Sequence, residues 1–107
     1  MNINPFDIIK NAQKLQDQMG VLQEKLAALV VTGSAGGGMV EIDLNGRMEL
    51  QAVRISPEAA GDVQMLQDLV KAAFTAALDK ARERTGLEMG ALASGLGIPP
   101  GSFPAGL

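Results

Sequence analysis

Apolar residues near the start of the chain recur at alternating spacings of four and three positions. The series is Ile8, Ala12, Leu15, Met19, Leu22, Leu26 and Leu29. Such a repeat places one apolar stripe along a helix, here called the seam. Asn4 is a suitable N-cap, and Pro5 suits the first helical position. The pattern therefore predicts a long helix over residues 5–29.

The pattern then changes to that of strands and turns. Val30, Val31 and Thr32 are β-branched and predict a first strand. The glycine-rich segment 33–38 follows, and it carries neither the G-K-[ST] nor the G-x-G-x-x-G pattern of a phosphate-binding loop. A flexible hairpin connection is therefore favoured over a phosphate site.

Residues 39–44 alternate between apolar and polar, which predicts a second strand with one buried face. Its inward residues are Val40, Ile42 and Leu44. Asn45-Gly46 predicts a tight turn. A three-residue connection would place the inward residues opposite Ala52, Leu50 and Met48. In a regular strand Val53 and Ile55 would then lie on the opposite face from Leu50 and Ala52. We therefore expect a bulge within 51–53, in a three-stranded antiparallel meander.

A second long helix is predicted from residue 63 to about residue 84, with Asp62 as N-cap and Gly86 at its end. Its polar residues form only a narrow stripe, which indicates a helix enclosed on several sides. The fold class is therefore α+β. Residues 1–86 are expected to form one α-β-β-β-α domain, and residues 87–107 a Gly/Pro-rich tail, in part helical over 87–93.

Composition narrows the function classes. The 107 residues include no Cys, His, Trp or Tyr. Disulfides, thiolate metal sites and the commonest general bases are thereby excluded. We expect no enzyme, cofactor or metal; Glu41 and Asp43 are better explained as a solvated strand face than as a catalytic pair. No export signal or membrane-spanning run is visible, which predicts a cytoplasmic protein.

The long seam predicts a homodimer. A helix of about 24 residues spans roughly 36 Å, whereas strands of about 7 residues cover roughly 23 Å. The seam therefore extends beyond its own sheet, and a two-fold partner would cover it. The expected interface consists of Leu15, Met19, Leu22, Leu26, Leu69 and Phe74. An intramolecular pair of the two helices is the alternative for part of the seam.

Several segments together resemble the YbaB/EbfC nucleoid-associated proteins. They are VTGSAG at 31–36, MVEIDLNG at 39–46, VRISP at 53–57, MLQDLVKAAF at 65–74 and GLGIPPG at 95–101. The resemblance covers essentially the whole chain. It implies a small bacterial protein of the cytoplasm and nucleoid, which forms tweezer-like homodimers whose helical arms bind double-stranded DNA.

Candidate DNA contacts are then the basic residues of the two long helices. They are Lys10 and Lys14 on the first helix, and Lys80, Arg82 and Arg84 on the second. The first helix is neutral overall and the chain carries a formal charge of -3, so we expect weak, salt-sensitive binding with little sequence preference. The alternative is a protein-binding adaptor in DNA metabolism that grips its partner through the arms or the tail.

Overall fold

The computed structural model describes residues 4–96 and has the predicted α+β architecture. Its elements are α1 Pro5–Ala28, β1 Val30–Ala35, β2 Val40–Asn45, β3 Leu50–Ile55, α2 Pro57–Ala60 and α3 Val63–Leu96. The three strands form one antiparallel sheet in the order β1-β2-β3. The part of the predicted tail beyond residue 96 lies outside the described residues.

The first helix begins at the predicted residue and ends one residue before the predicted end, with Leu29 as its C-cap. The Asn4 side chain accepts a hydrogen bond from the Phe6 N–H at 3.0 Å, which satisfies a free donor of the first turn. At the other end, the Gly46 N–H donates to the carbonyls of Leu26 (2.8 Å) and Leu29 (2.9 Å). The β2–β3 turn therefore caps α1 and anchors its C-terminal end to the sheet.

The first strand is longer than predicted. It runs on through Gly33, Ser34 and Ala35, which the sequence assigned to a flexible connection. Gly33 pairs with Ile42 in the middle of the ladder. The turn itself is confined to residues 36–39, where Gly36, Gly37 and Gly38 have φ angles of 64°, 67° and 92°. Glycine adopts these positive φ angles far more readily than other residues do. The glycine-rich segment therefore has two parts: residues 33–35 belong to β1, and residues 36–38 lie in the turn.

The predicted pairing of β2 with β3 is wrong, although the predicted bulge is present. Leu44 lies opposite Leu50, Ile42 opposite Val53 and Val40 opposite Ile55. The ladder shifts at Gln51, within the predicted bulge region. The three large apolar residues of β3, Leu50, Val53 and Ile55, therefore share the inner face of the sheet.

The buried side chain of Asn45 explains the register. Its Oδ1 accepts hydrogen bonds from the backbone N–H groups of Arg47 (2.9 Å) and Glu49 (3.0 Å), while its Nδ2 donates to Glu49 Oε1 at 2.9 Å. Met48 completes the turn with a φ of 63°. A loop organised in this way moves β3 along β2 relative to the predicted pairing.

The last helix does not end at Gly86. Asp62 caps it as predicted, since its Oδ1 accepts from the Met65 N–H at 3.0 Å, but α3 continues to Leu96. Near Gly86, Thr85 Oγ1 donates to the Gly46 carbonyl at 2.8 Å, and Glu88 forms an ion pair with Lys25 at 2.8 Å. These tertiary contacts outweigh the roughly 1 kcal/mol that a glycine costs inside a helix.

The core forms where α3 lies across β1 and β2. Three alanines, Ala73, Ala77 and Ala81, are fully buried there against the inner face of β2. The backbone of α3 comes so close to β1 that a Cβ atom on Gly33 would overlap the Ala73 carbonyl oxygen and the Ala77 nitrogen. Gly33 and the alanines together set the distance between helix and sheet.

Gly33→Ala is expected to lower the free energy of unfolding by about 1–3 kcal/mol. The added methyl group would overlap backbone atoms of α3, which cannot move aside by a change of rotamer as a side chain can. Urea unfolding at fixed protein concentration measures the change.

Gly20→Ala is the matched control. Nothing lies within 4 Å of a Cβ atom at Gly20, on the exposed surface of α1. This change is expected to stabilise the helix by about 0.5–1 kcal/mol. An unfolding midpoint for Gly33→Ala equal to that of the unmodified chain would contradict the close packing.

Candidate nucleic-acid interface

The first helix runs antiparallel to the end of α3 and then projects past it. Lys25 pairs with Glu88, and one helical turn further on Val21 of α1 and Ala91 of α3 line the same groove. Lys10 is about 22 Å along α1 from Lys25, whereas the described part of α3 extends about 12 Å beyond Glu88. The N-terminal half of α1 therefore forms a projecting arm.

The seam of α1 is buried near the sheet and exposed on the projecting arm. Leu22 and Leu26 are only 5% and 4% exposed. The same chain provides their burial, so the intramolecular alternative accounts for this part of the seam. Met19 and Leu29 are half-buried, while Ile8, Ala12 and Leu15 are exposed on the arm. The predicted interface residues Leu15 and Phe74 are thus open to a partner, and Leu69 packs in part against the core.

Lys10 and Lys14 lie on the arm, and both are exposed. Among residues 4–96, neither forms an ion pair. Lys14 also contributes to the rim of a groove between α1 and α3. The charge of both ammonium groups is therefore available to an anionic ligand.

The second predicted cluster is only partly available. Lys80 donates a hydrogen bond from Nζ to the Thr32 carbonyl at 2.8 Å, which ties α3 to the outer edge of β1. Arg82 and Arg84 are exposed and form no ion pair within the described part of the chain. Arg84 is about 28 Å from Lys10 along the helix axes. One chain therefore presents two separate basic sites.

The outer face of the sheet carries charges that neutralise one another. Arg54 donates to both carboxylate oxygens of Asp43, at 2.7 and 2.9 Å, and lies 3.6 Å from Glu41. Thr32 Oγ1 donates to Asp43 at 2.7 Å. These hydrogen bonds, the one from Arg54 foremost, lower the pKa of Asp43 to about 2, and the pKa of Arg54 is raised. With two carboxylates to one cation, this face does not attract phosphates.

The inner face of β3 was not recognised from the sequence as a surface. Because α3 covers β1 and β2, the side chains of Leu50, Val53 and Ile55 remain 58%, 45% and 43% exposed. Phe74 on the adjacent side of α3 is 41% exposed. The sequence indicated this surface only through the apolar residues of β3. Which face of the sheet they occupy depends on the register that Asn45 imposes.

Other kinds of site receive no support from the described residues. Residues 4–96 contain no group of three or more acidic side chains placed to hold a metal ion. Within the same range, none of the helices combines the length and the hydropathy that crossing a bilayer requires.

Comparison with known proteins identifies the family. The sequence profile described as the YbaB/EbfC DNA-binding family matches residues 1–96. The chain belongs to the YbaB/EbfC DNA-binding family. The family name describes a DNA-binding protein, and the relatives are named nucleoid-associated proteins; neither name describes an enzyme.

Relatives of this YbaB/EbfC chain come from several bacteria. A nucleoid-associated protein of Dictyoglomus thermophilum is 44% identical over 102 residues, which cover 94% of this chain and 98% of the relative. A nucleoid-associated protein of Xylella fastidiosa is 43% identical over 101 residues, with 94% of each chain covered. The crystal structure of an uncharacterized protein from Helicobacter pylori shares the fold, with a TM-score of 0.75, 23% identity, and coverage of 85% of this chain and 99% of that one.

Within this YbaB/EbfC sheet, Asp43→Asn is expected to lower the free energy of unfolding above about pH 4. The difference from the unmodified chain should shrink as the pH falls towards 2. A carboxyl with an ordinary pKa of 3.8 in the unfolded chain and about 2 in the native sheet stabilises the fold above the first value and loses that effect as the pH falls through the second. Urea unfolding between pH 6 and pH 2 measures it.

Asp68→Asn on the exposed surface of α3 is the matched control. Its curve should follow that of the unmodified chain. A constant gap between the unmodified chain and Asp43→Asn down to pH 2 would show that the Arg54 and Thr32 contacts do not act through the charge of Asp43.

Proposed function

We propose that the chain is a non-enzymatic, homodimeric protein of the nucleoid that binds double-stranded DNA with low sequence specificity and influences nucleoid organisation or gene expression. The observation that carries this proposal is the projecting arm, on which Lys10 and Lys14 are exposed and form no ion pair among residues 4–96. Membership of a DNA-binding family supports the same conclusion.

The chemistry of the arm suits phosphates and not base edges. Lysine ammonium groups on flexible stems neutralise phosphates and release counterions, whatever the sequence. Phe6 is the only aromatic residue of α1, so base stacking contributes little. A formal charge of -3 over the whole chain opposes binding elsewhere on the surface. Binding should therefore be weak, sensitive to salt and similar for different sequences.

Two copies would double the number of arms. We place the dimer contact on the inner face of β3 together with Phe74, because this surface adjoins the core and is left open by α3. Burial of apolar area stabilises association by roughly 25 cal/mol per Å². The proposed contact does not include Leu22 and Leu26 of the seam, which are buried within the chain. It leaves the α1 arms free to reach DNA.

An adaptor that binds another protein is the second candidate. Ile8, Ile9 and Leu15 are exposed on the same arm as the two lysines. An apolar strip of this kind is typical of a surface that binds a protein partner. The DNA experiment separates the two candidates, since an adaptor would retain its partner when the lysines are replaced.

Lys10→Gln is expected to weaken DNA binding at low salt. Each cation removed from a phosphate contact should reduce the slope of log K against log salt by about 0.9, so a homodimer that loses Lys10 from both arms should show a reduction of about 1.8. Adding Lys14→Gln should reduce the slope further. Fluorescence anisotropy with several duplexes of unrelated sequence, titrated at increasing salt concentrations, measures both the slope and the specificity.

Lys71→Gln, on the outward side of α3, is the matched control and should leave the slope unchanged. Absence of binding to any duplex at low salt would overturn the DNA proposal and favour the adaptor. Equal slopes for Lys10→Gln and the unmodified chain would move the DNA contact away from the arm.

Val53→Asp is expected to dissociate the dimer, because it places a charge in the centre of the proposed apolar contact. Sedimentation equilibrium at micromolar concentration measures the mass, and circular dichroism shows whether the separated chains remain folded.

Leu15→Asp is the comparison variant, since it places the same charge on the exposed part of the seam. It should leave the dimer intact. If Leu15→Asp dissociated the dimer and Val53→Asp did not, the interface would lie on α1. A single-chain mass for the unmodified protein would contradict the dimer altogether.

A further inference from the structure

A groove of about 420 Å³ lies between the C-terminal half of α1 and the end of α3. Val21 and Leu22 line it on one side, and Ala91 and Leu92 line it on the other. Val21 is 65% exposed although it lies within this groove. The described residues therefore leave an apolar site open beside the arm.

The rim of the groove carries balanced charges. Two lysines and two carboxylates surround it: Lys14, Lys25, Asp17 and Glu88. Lys25 and Glu88 already pair with each other at 2.8 Å. A polyanion such as DNA would meet as many negative as positive groups here, so the occupant should be apolar and without net charge.

One polar atom at the groove lacks a partner. The side chain of Gln18 lines the groove, and its Oε1 is buried with no hydrogen bond among the described residues. A buried acceptor of this kind costs about 1–3 kcal/mol while it is unsatisfied. Rotation of the Gln18 amide towards the groove would bring this acceptor within reach of a peptide N–H, which favours a segment of polypeptide as the occupant.

We propose that the groove is the docking site of the same chain's C-terminal segment, residues 97–107. This segment follows directly on Leu96, one turn beyond the groove residue Leu92. Eleven residues reach up to about 36 Å when extended, whereas the groove extends about 16 Å from Lys25 to Lys14.

The composition of the segment matches the groove. It carries no charged side chain, and it places apolar groups at Ile98 and Phe103. Pro99, Pro100 and Pro104 restrict the free chain, so docking costs less conformational entropy than it would for a flexible peptide. Docking would lay the segment beside Lys14. The proposal goes beyond DNA binding and does not depend on it.

A single tryptophan reports on docking, because the chain contains none. Phe103→Trp in the full chain should show blue-shifted emission and protection from acrylamide quenching. Adding Ala91→Glu, which puts a charge into the groove, should shift the emission to that of exposed tryptophan. Burial of a large apolar side chain implies a change of roughly tenfold or more in the ratio of docked to undocked chains.

Ala72→Glu is the matched control, since it adds the same charge to the exposed outer side of α3. It should leave the emission of Phe103→Trp unchanged. Emission typical of exposed tryptophan from Phe103→Trp without Ala91→Glu would overturn the proposal. So would buried tryptophan that Ala91→Glu does not release, because the segment would then dock elsewhere.

Disulfide trapping tests which chain supplies the segment, since the chain has no cysteine of its own. The pair Val21→Cys and Phe103→Cys should oxidise rapidly within one chain, as judged by mass under non-reducing conditions. The pair Lys71→Cys and Phe103→Cys is the control, because Lys71 is about 30 Å from Ala91 along α3. Cross-links between two chains, or equal rates for both pairs, would contradict docking within the chain.

Discussion

The close approach of α3 to β1 determines the rest of the structure. Without a side chain at Gly33, the alanines at 73 and 77 bring the helix backbone directly against the strand. A helix held so tightly covers only the two strands beneath it, β1 and β2. The inner face of β3 is left open for this reason, although its residues are as apolar as those of β2.

The same packing directs both long helices away from the sheet. Thr85 and Gly46 join α3 to the β2–β3 turn, and that turn caps the C-terminal end of α1. Beyond this junction, within residues 4–96, the ion pair of Lys25 with Glu88 and the groove residues hold α1 against α3. The molecule is accordingly elongated, with principal extents of 69 × 22 × 16 Å. Its cations can therefore act at a distance from its core.

The distribution of charge matters more for the proposed function than its sum. The carboxylates of the sheet surround Arg54 and cancel its charge, whereas Lys10 and Lys14 keep theirs on the arm. Counting residues along α1 gives a neutral helix and hides this difference. The basic character of the arm arises because Lys10 and Lys14 outnumber the single carboxylate of Asp7 within residues 5–16, whereas Lys25, nearer the sheet, is neutralised by Glu88.

Local patterns in the sequence determined the starts of the two long helices, the presence and order of the three strands and the inward residues of β2. Caps such as Asn4 and Asp62 act through hydrogen bonds to their own neighbours, and the alternation of β2 follows from the geometry of a strand. Family resemblance added the DNA-binding class. Tertiary structure alone decided the register of β3, the continuation of α3 through Gly86, the division of the seam and the engagement of Lys80 with β1. The last three depend on atoms supplied by distant parts of the chain, and the register depends on a buried Asn45 side chain that also donates to the Ala27 carbonyl at 3.3 Å. Local propensity carries no information about such contacts.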